Sequence, residues 1–173
     1  MRTRASRSDW SRIRLFAMDV DGVLTDGTVQ ICSDGTEAKR FSIIDGLGLI
    51  LLRSCGVETA WISGRESMAT THRAKELKIP HVIQGRRDKL EALEGLAREL
   101  GIPLADCAYM GDDFIDAPAI AAAGVGISVS TGLPAAIAAA SYVTRRLPGY
   151  GAVREVCDLL LAAKTPRERP GRK

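Results

Sequence analysis

Short apolar runs alternate with longer stretches of helical period along most of the chain. The runs "IRLFAMDV" (13–20), "VETAWIS" (57–63), "HVIQG" (81–85), "CAYMGDD" (107–113), "VGISVS" (125–130) and "SYVT" (141–144) read as strands, by length and by their apolar, β-branched and aromatic content. Helices are predicted between and after them, at 45–56, 65–79, 87–101, 114–124, 134–140 and 152–164. The 87–101 segment is the clearest: Leu90, Leu93, Leu96, Ala97 and Leu100 recur at three- and four-residue spacing, and Gly101 and Pro103 end the pattern. The segment "TVQICSDGTEAKRFSI" (28–43) reads as a β-hairpin, because "SDG" supplies turn chemistry between two β-rich runs. Strand–helix–strand order with short connections predicts an α/β three-layer sandwich, a parallel sheet with helices on both faces, plus this hairpin. In such sheets ligands bind beyond the carboxyl ends of the strands.

Those ends gather reactive groups. The first strand runs out into "DVDGVLTD", which places Asp19 and Asp21 two residues apart, on one side of the extended chain. Ser63, Gly64 and Arg65 follow the second strand, Lys89 opens the helix after "VIQG", and Asp112, Asp113 and Asp116 follow "CAYMG". Carboxylates crowded on one rim repel each other, and their pKa values rise unless a cation is present. A hard divalent cation answers this, and Mg2+ suits a site of few carboxylates plus water and phosphate. With such an ion bound, one carboxylate can attack phosphorus while a lysine and a hydroxyl hold the phosphoryl oxygens. Each group has a plainer reading alone. Ser63-Gly64 could be a turn, Lys89 a solvated helix residue, and the later acids a helix N-terminus favoured by its dipole. Their ordered recurrence at strand ends sets those readings aside.

Composition narrows the class. Of 173 residues, 46% are hydrophobic and 26% charged, enough for one core in a single domain. No run reaches the ~18 apolar residues of a membrane span, and the arginine-rich start lacks the apolar segment of a signal peptide. The net charge of +3 comes from the ends. Residues 1–14 and 164–173 together hold ten basic and two acidic residues, which leaves 14 basic against 19 acidic residues in the body. Basic ends on an acidic body read as solvated tails, and no aromatic-rich basic stretch points to nucleic acid. Cys32, Cys55, Cys107 and Cys157 are scattered, with no C-x-x-C and no histidine at ligand spacing. They read as reduced thiols of a cytoplasmic protein rather than a zinc site.

The ordered set resembles the four motifs of the haloacid dehalogenase (HAD) superfamily: "DVDG", Ser63, Lys89 and "GDDFID" (111–116). Within it the chain is similar to the capless phosphatases that act on 3-deoxy-D-manno-octulosonate 8-phosphate (KDO 8-phosphate). The hairpin stands where their flap follows the first motif, and no insert long enough for a cap domain lies between the motifs. "QG" precedes the Lys89 segment, and "GAVREVCDLLL" (151–161) matches the family's C-terminal signature. The resemblance implies a HAD-like Rossmannoid domain over 13–163 with its flap at 28–43, between a basic extension at 1–12 and a basic tail at 164–173. It implies Asp19 as nucleophile and Asp21 as general acid, then base. Asp19, the backbone carbonyl of Asp21 and Asp112 would hold Mg2+, with Asp116 a further ligand, direct or through water, and Asp113 beside them. Ser63 and Lys89 would bind the phosphoryl group, and Asp21, Gly64, Arg65, Arg73, Asp45 and Gly46 would complete the substrate site. A homotetramer whose neighbouring subunits close each site is also implied, with a sugar phosphate as its small-molecule partner.

Arg65 favours the eight-carbon substrate over that of the relatives acting on nine-carbon sugars. The chain departs from the family pattern at Ile44 and Ile50, where the family has arginine, and at "PGYG" (148–151), where it has a double glycine. Arginines there are natural partners for a sugar carboxylate. The departures therefore leave open another sugar-acid phosphate, such as a nine-carbon sialic-type sugar 9-phosphate. A non-catalytic assembly module on the same fold is the alternative of a different class. Such a module has no need to keep Asp19, Asp21, Lys89 and Asp112 together.

Overall fold

The structure, a computed structural model, describes residues 5–165. In chain order its elements are α1 (Arg7–Ser11), β1 (Leu15–Met18), β2 (Gln30–Ile31), β3 (Glu37–Ala38), α2 (Ile43–Ser54), β4 (Glu58–Ile62), α3 (Met68–Glu76) and β5 (His81–Ile83). Then follow α4 (Lys89–Glu99), β6 (Cys107–Gly111), α5 (Ala117–Ala122), β7 (Val125–Ser128), α6 (Pro134–Ala139), β8 (Tyr142–Val143) and α7 (Ala152–Lys164). Six strands form one parallel sheet in the order β5-β4-β1-β6-β7-β8. The chain starts in the middle, builds toward β5, then crosses back to build toward β8. The strand order therefore reverses between β1 and β6, where a parallel sheet opens a crevice at its carboxyl edge.

The alternation of side chains along each strand sorts the core into two layers. Phe16, Met18, Trp61, Met110 and Ile127 face α2, α3 and α7, which contribute Leu49, Leu52, Ala74, Val153, Val156 and Leu160. Leu15, Ala17, Ala60, Ile62 and Tyr109 face α4, α5 and α6, which contribute Leu93, Leu96, Ile120 and Ala136. The three-layer sandwich and its flap hairpin match the sequence reading.

Several boundaries shift by a few residues for local reasons. The side chains of Ser42, Ser67 and Asp88 cap α2, α3 and α4, which fixes where each begins. α5 starts at Ala117, later than the predicted 114, because Asp116 folds back over Gly111 before Pro118 can enter the first turn. The flap pairs Gln30 with Ala38 and Ile31 with Glu37 around an Asx turn at Asp34, and its strands are two residues each. Phe41 anchors the end of the flap by stacking on Trp61, ring centroids 6.1 Å apart.

The N-terminal extension is not a solvated tail from residue 7 onward. Ser6 and Asp9 close a capping box around α1, and Trp10 is buried edge-on against Tyr142 at 5.4 Å. Arg7 donates to the carbonyls of Ala162 at 2.6 Å and Thr165 at 3.1 Å, at the negative end of α7. The apolar indole overrides the charge around it. The predicted tail lies outside the described residues from 166 onward.

Candidate active site

β1 ends at Met18, and Asp19 makes one more ladder bond, its N–H to the Met110 carbonyl at 2.9 Å. Its side chain stands at the crevice between β1 and β6, only 6% of the residue exposed. Across the crevice β6 runs out into Asp112, and the loop then folds back through Asp116. Two glycines make this convergence possible. Gly22 adopts φ +84°, and a Cβ there would lie 2.1 Å from Asp112 Oδ2. A Cβ on Gly111 would lie 2.3 Å from the Cβ of Asp116. Asp19, Asp112 and Asp116 thereby bring carboxylate oxygens within 4.8 Å of one another.

Burial and mutual repulsion disfavour Asp19 and Asp112 as free carboxylates. Desolvation, then the charge of Asp116, pushes Asp19 up to about 7 against the pull of Lys89. Desolvation, then Asp19 and Asp116, pushes Asp112 up to about 7 as well. Asp112 Oδ1 is buried and accepts no hydrogen bond among the described residues. An oxygen-only donor set with an unsatisfied buried oxygen fits a hard divalent cation. Asp116 is the most constrained of the three. Its Oδ1 accepts from the Tyr109 hydroxyl at 2.8 Å, and its Oδ2 from the backbone N–H groups of Asp112 at 3.2 Å and Asp113 at 3.1 Å. It shapes the loop that presents Asp112. Asp113 turns its own carboxylate onto the N–H of Phe114.

Lys89, at the start of α4, is fully buried. Its ammonium lies 2.8 Å from Asp19 Oδ1, 3.8 Å from Asp116 Oδ1, and donates to the Ile62 carbonyl at 2.6 Å. A buried lysine is tolerated because two carboxylates and a carbonyl surround it. Lys89 is therefore not the solvated helix residue that its type alone would suggest. Ser63 is buried one residue beyond Ile62, but its hydroxyl donates to the Arg65 carbonyl at 2.9 Å and accepts the Arg65 N–H at 3.1 Å. Here it serves the turn, and Gly64 meets no close neighbour that would forbid a side chain.

Asp21 points to a partner that sequence reasoning missed. Lys39, on the flap, buries its whole side chain and places its ammonium 2.7 Å from Asp21 Oδ1 and 3.0 Å from Oδ2. The readable signal was the alternation Glu37, Lys39, Phe41, which puts three side chains on one side of an extended strand. Tyr109, which holds Asp116, was missed too, hidden in an apolar strand.

The remaining predicted residues separate. Arg65 reaches the flap, 2.6 Å from Glu37 Oε2. Arg73 lies between α3 and the start of α2, donating to the Ser42 carbonyl at 3.3 Å and pairing with Glu76 at 2.8 Å. Gly46 lets it pass, since a Cβ there would be 2.6 Å from the guanidinium. Asp45 is a correction. It is buried, and its oxygens accept the backbone N–H groups of Gly151 at 3.1 Å and Arg154 at 2.7 Å, so it caps α7 from another helix. Both oxygens are spent on structure, which removes it from the substrate-facing set. Ile44 and Ile50 lie half-exposed on α2, and Ile44 packs near Gly151.

A parallel sheet whose central crevice carries a buried aspartate at the end of its first strand, a buried lysine beside it and two further acids across it defines a hydrolase of the HAD type. Residues 53–153 match the haloacid dehalogenase-like hydrolases. The chain is 43% identical to the 3-deoxy-D-manno-octulosonate 8-phosphate phosphatase KdsC of Escherichia coli K12, over 88% of this chain and 81% of that protein. A crystal structure of the corresponding phosphatase from Moraxella catarrhalis, in complex with magnesium, phosphate and KDO, superposes with a TM-score of 0.90 at 51% identity, covering 91% of each chain. The cobalt-bound phosphatase of Haemophilus influenzae gives 0.87 at 34% identity, over 90% of this chain and 91% of that one. The chain belongs to the haloacid dehalogenase-like hydrolases and, among them, to the family of KDO 8-phosphate phosphatases.

Proposed function

We propose that this protein is a Mg2+-dependent phosphomonoesterase that hydrolyses KDO 8-phosphate to KDO and phosphate, a step in making lipopolysaccharide precursors. The observation that carries the reading is the Asp19–Lys89 pair, 2.8 Å apart and buried beside Asp112 and Asp116. Asp19, Asp112 and the Asp21 backbone carbonyl would hold the ion, with Asp116 fixing their loop or adding a ligand. The ion would neutralise charge on the carboxylates and on the phosphoryl oxygens. Asp19 attacks phosphorus, and Asp21 donates a proton to the departing sugar oxygen. Asp21 then takes a proton from the water that cleaves the aspartyl phosphate. Lys89, with the Ser63 hydroxyl once it leaves its turn, holds the phosphoryl oxygens. Among the described residues no cap domain covers the rim, which suits water as the acceptor.

The finer assignments are an eight-carbon substrate, a cytoplasmic location and a homotetramer. Among the described residues no helix is long and apolar enough to cross a membrane. Ile43, Leu47, Ile50 and Leu51 leave an apolar stripe exposed along α2, Ile43 at 81%, which supports burial against another copy. Light scattering that reads only the 18.6 kDa monomer would refute the assembly. The function itself is tested by phosphate release from KDO 8-phosphate beside a panel of sugar phosphates, with Mg2+ and with chelator. Metal-dependent preference for the octulosonate ester is expected, and Asp19→Asn should abolish it while the protein stays folded. Release from a different ester would overturn the substrate. Turnover retained in the Asn variant would overturn the nucleophile.

A further inference from the structure

Glu37, on the flap, sits where the carboxylate of a ligand would be recognised. Its Oε2 lies 2.6 Å from the Arg65 guanidinium. Its Oε1 accepts from the Ser67 hydroxyl at 2.6 Å and lies 3.7 Å from the Lys39 ammonium. Ser67 is the N-cap of the nine-residue α3, so the carboxylate also stands at the positive end of a helix. A guanidinium, an ammonium and a hydroxyl that converge at a helix N-terminus form a recognition set for a carboxylate. The same Lys39 ammonium is 2.7 Å from Asp21 Oδ1, so a single charged group separates this subsite from the proposed acid/base. The Ser67 hydroxyl first, with Lys39 and Arg65 behind it, holds the Glu37 carboxyl below its ordinary range, against the cost of burial.

We propose that Glu37 is an internal stand-in for the carboxylate of the sugar acid, and that the substrate must displace it to bind. The inference rests on reading the site as a sugar-acid phosphatase and adds an internal competitor for the groups that recognise the sugar carboxylate. The flap strands are two residues each, and the Glu37 side chain retains 19% exposure, so rotation about its own bonds can vacate the subsite without unfolding the flap. An acidic sugar phosphate replaces one carboxylate by another and keeps Arg65, Ser67 and Lys39 satisfied. A neutral sugar phosphate leaves Glu37 in place and gains nothing from those groups, so the competition falls on acidic ligands alone. The occupant also weakens apparent affinity for the correct substrate by the fraction of time it holds the subsite.

The test is Glu37→Gln, which keeps the length and the acceptor for Ser67 but removes the charge. The expected result is a rise of about tenfold in kcat/KM for KDO 8-phosphate, through KM, with p-nitrophenyl phosphate changed less than about twofold, corresponding to ~1.4 kcal/mol of released competition. Free KDO should bind about tenfold tighter by calorimetry. Equal changes for both esters would show a mere flap staple and overturn the proposal, as would a fall in the acidic-to-neutral ratio. A second arm, which needs no octulosonate ester, compares binding of 6-phosphogluconate and glucose 6-phosphate. The variant should widen the preference for 6-phosphogluconate, and an unchanged preference overturns the inference. If the wild-type protein releases no phosphate from KDO 8-phosphate, the proposed substrate fails, and Glu37 is judged on this second pair alone.

Discussion

Removing divalent cations should make the protein pH-sensitive in a direction opposite to ordinary acid denaturation. Asp19 and Asp112 each rise from 3.8 to about 7 on folding. A raised carboxyl contributes stability that is fully present below its unfolded pKa and lost as pH climbs through its folded one. For one group, the loss between pH 5.5 and pH 8 is about 2 kcal/mol by that linkage, and the two groups repel each other, so their shares are not simply additive. In a domain of this size about 2 kcal/mol moves Tm by roughly 4–8 °C. The metal-free protein should therefore melt several degrees lower at pH 8 than at pH 5.5. Saturating Mg2+ should flatten that slope, stabilising little at pH 5.5, where protons compete for the carboxylates, and much more at pH 8. The carboxyls held low, such as Asp9, Asp26 and Glu155, lose their contribution only as pH falls below the ordinary carboxylate range, outside this window. Differential scanning fluorimetry with and without chelator reads the effect, and Asp112→Asn, which removes one charge and its repulsion, should shrink it. A metal-free Tm that is flat or rising from pH 5.5 to 8, or equal Mg2+ stabilisation at both, would refute the reasoning.

Two further predictions concern the frame. Asp45→Ala should cost about 1–3 kcal/mol, because it strands two N–H groups at the start of α7; urea titration reads it, and a loss of kcat/KM with unchanged stability would restore Asp45 to the substrate site. Trp10→Ala should cost about 3–5 kcal/mol through the cavity it leaves against Tyr142; a change within experimental error would mean that α1 is dispensable.

What could be read from the sequence was whatever rests on neighbours along the chain. Ser42, Ser67 and Asp88 are N-caps by residue type, and Asp19, Lys89 and Asp112 stand out because each lies just beyond a strand, where the fold class expects a site. The order of strands was not legible, yet the crevice between β1 and β6 depends on it. Asp45 misled because its partners lie more than a hundred residues away, in α7. Charge around Trp10 masked a sequence signal that was present, the serine and aspartate spaced as a capping box with an indole beside them. Lys39 had only the alternation Glu37, Lys39, Phe41 to mark it, and that does not give its burial. Lysines are mostly surface residues, and only the folded flap shows that this one is buried against Asp21.

The docking of α1 on α7 also decides how the molecule can be handled. Arg7 meets the last turn of α7, and Ala5 bonds to Ser141 at the entry to β8. Both described ends therefore emerge at the amino-terminal edge of the sheet, while Asp19 and Asp112 open at the carboxyl edge. An affinity handle, a fusion partner or a surface tether joined at these described ends would attach at the edge opposite the acids. A short linker joining the two ends could relocate the chain's opening to another loop without passing over the acids.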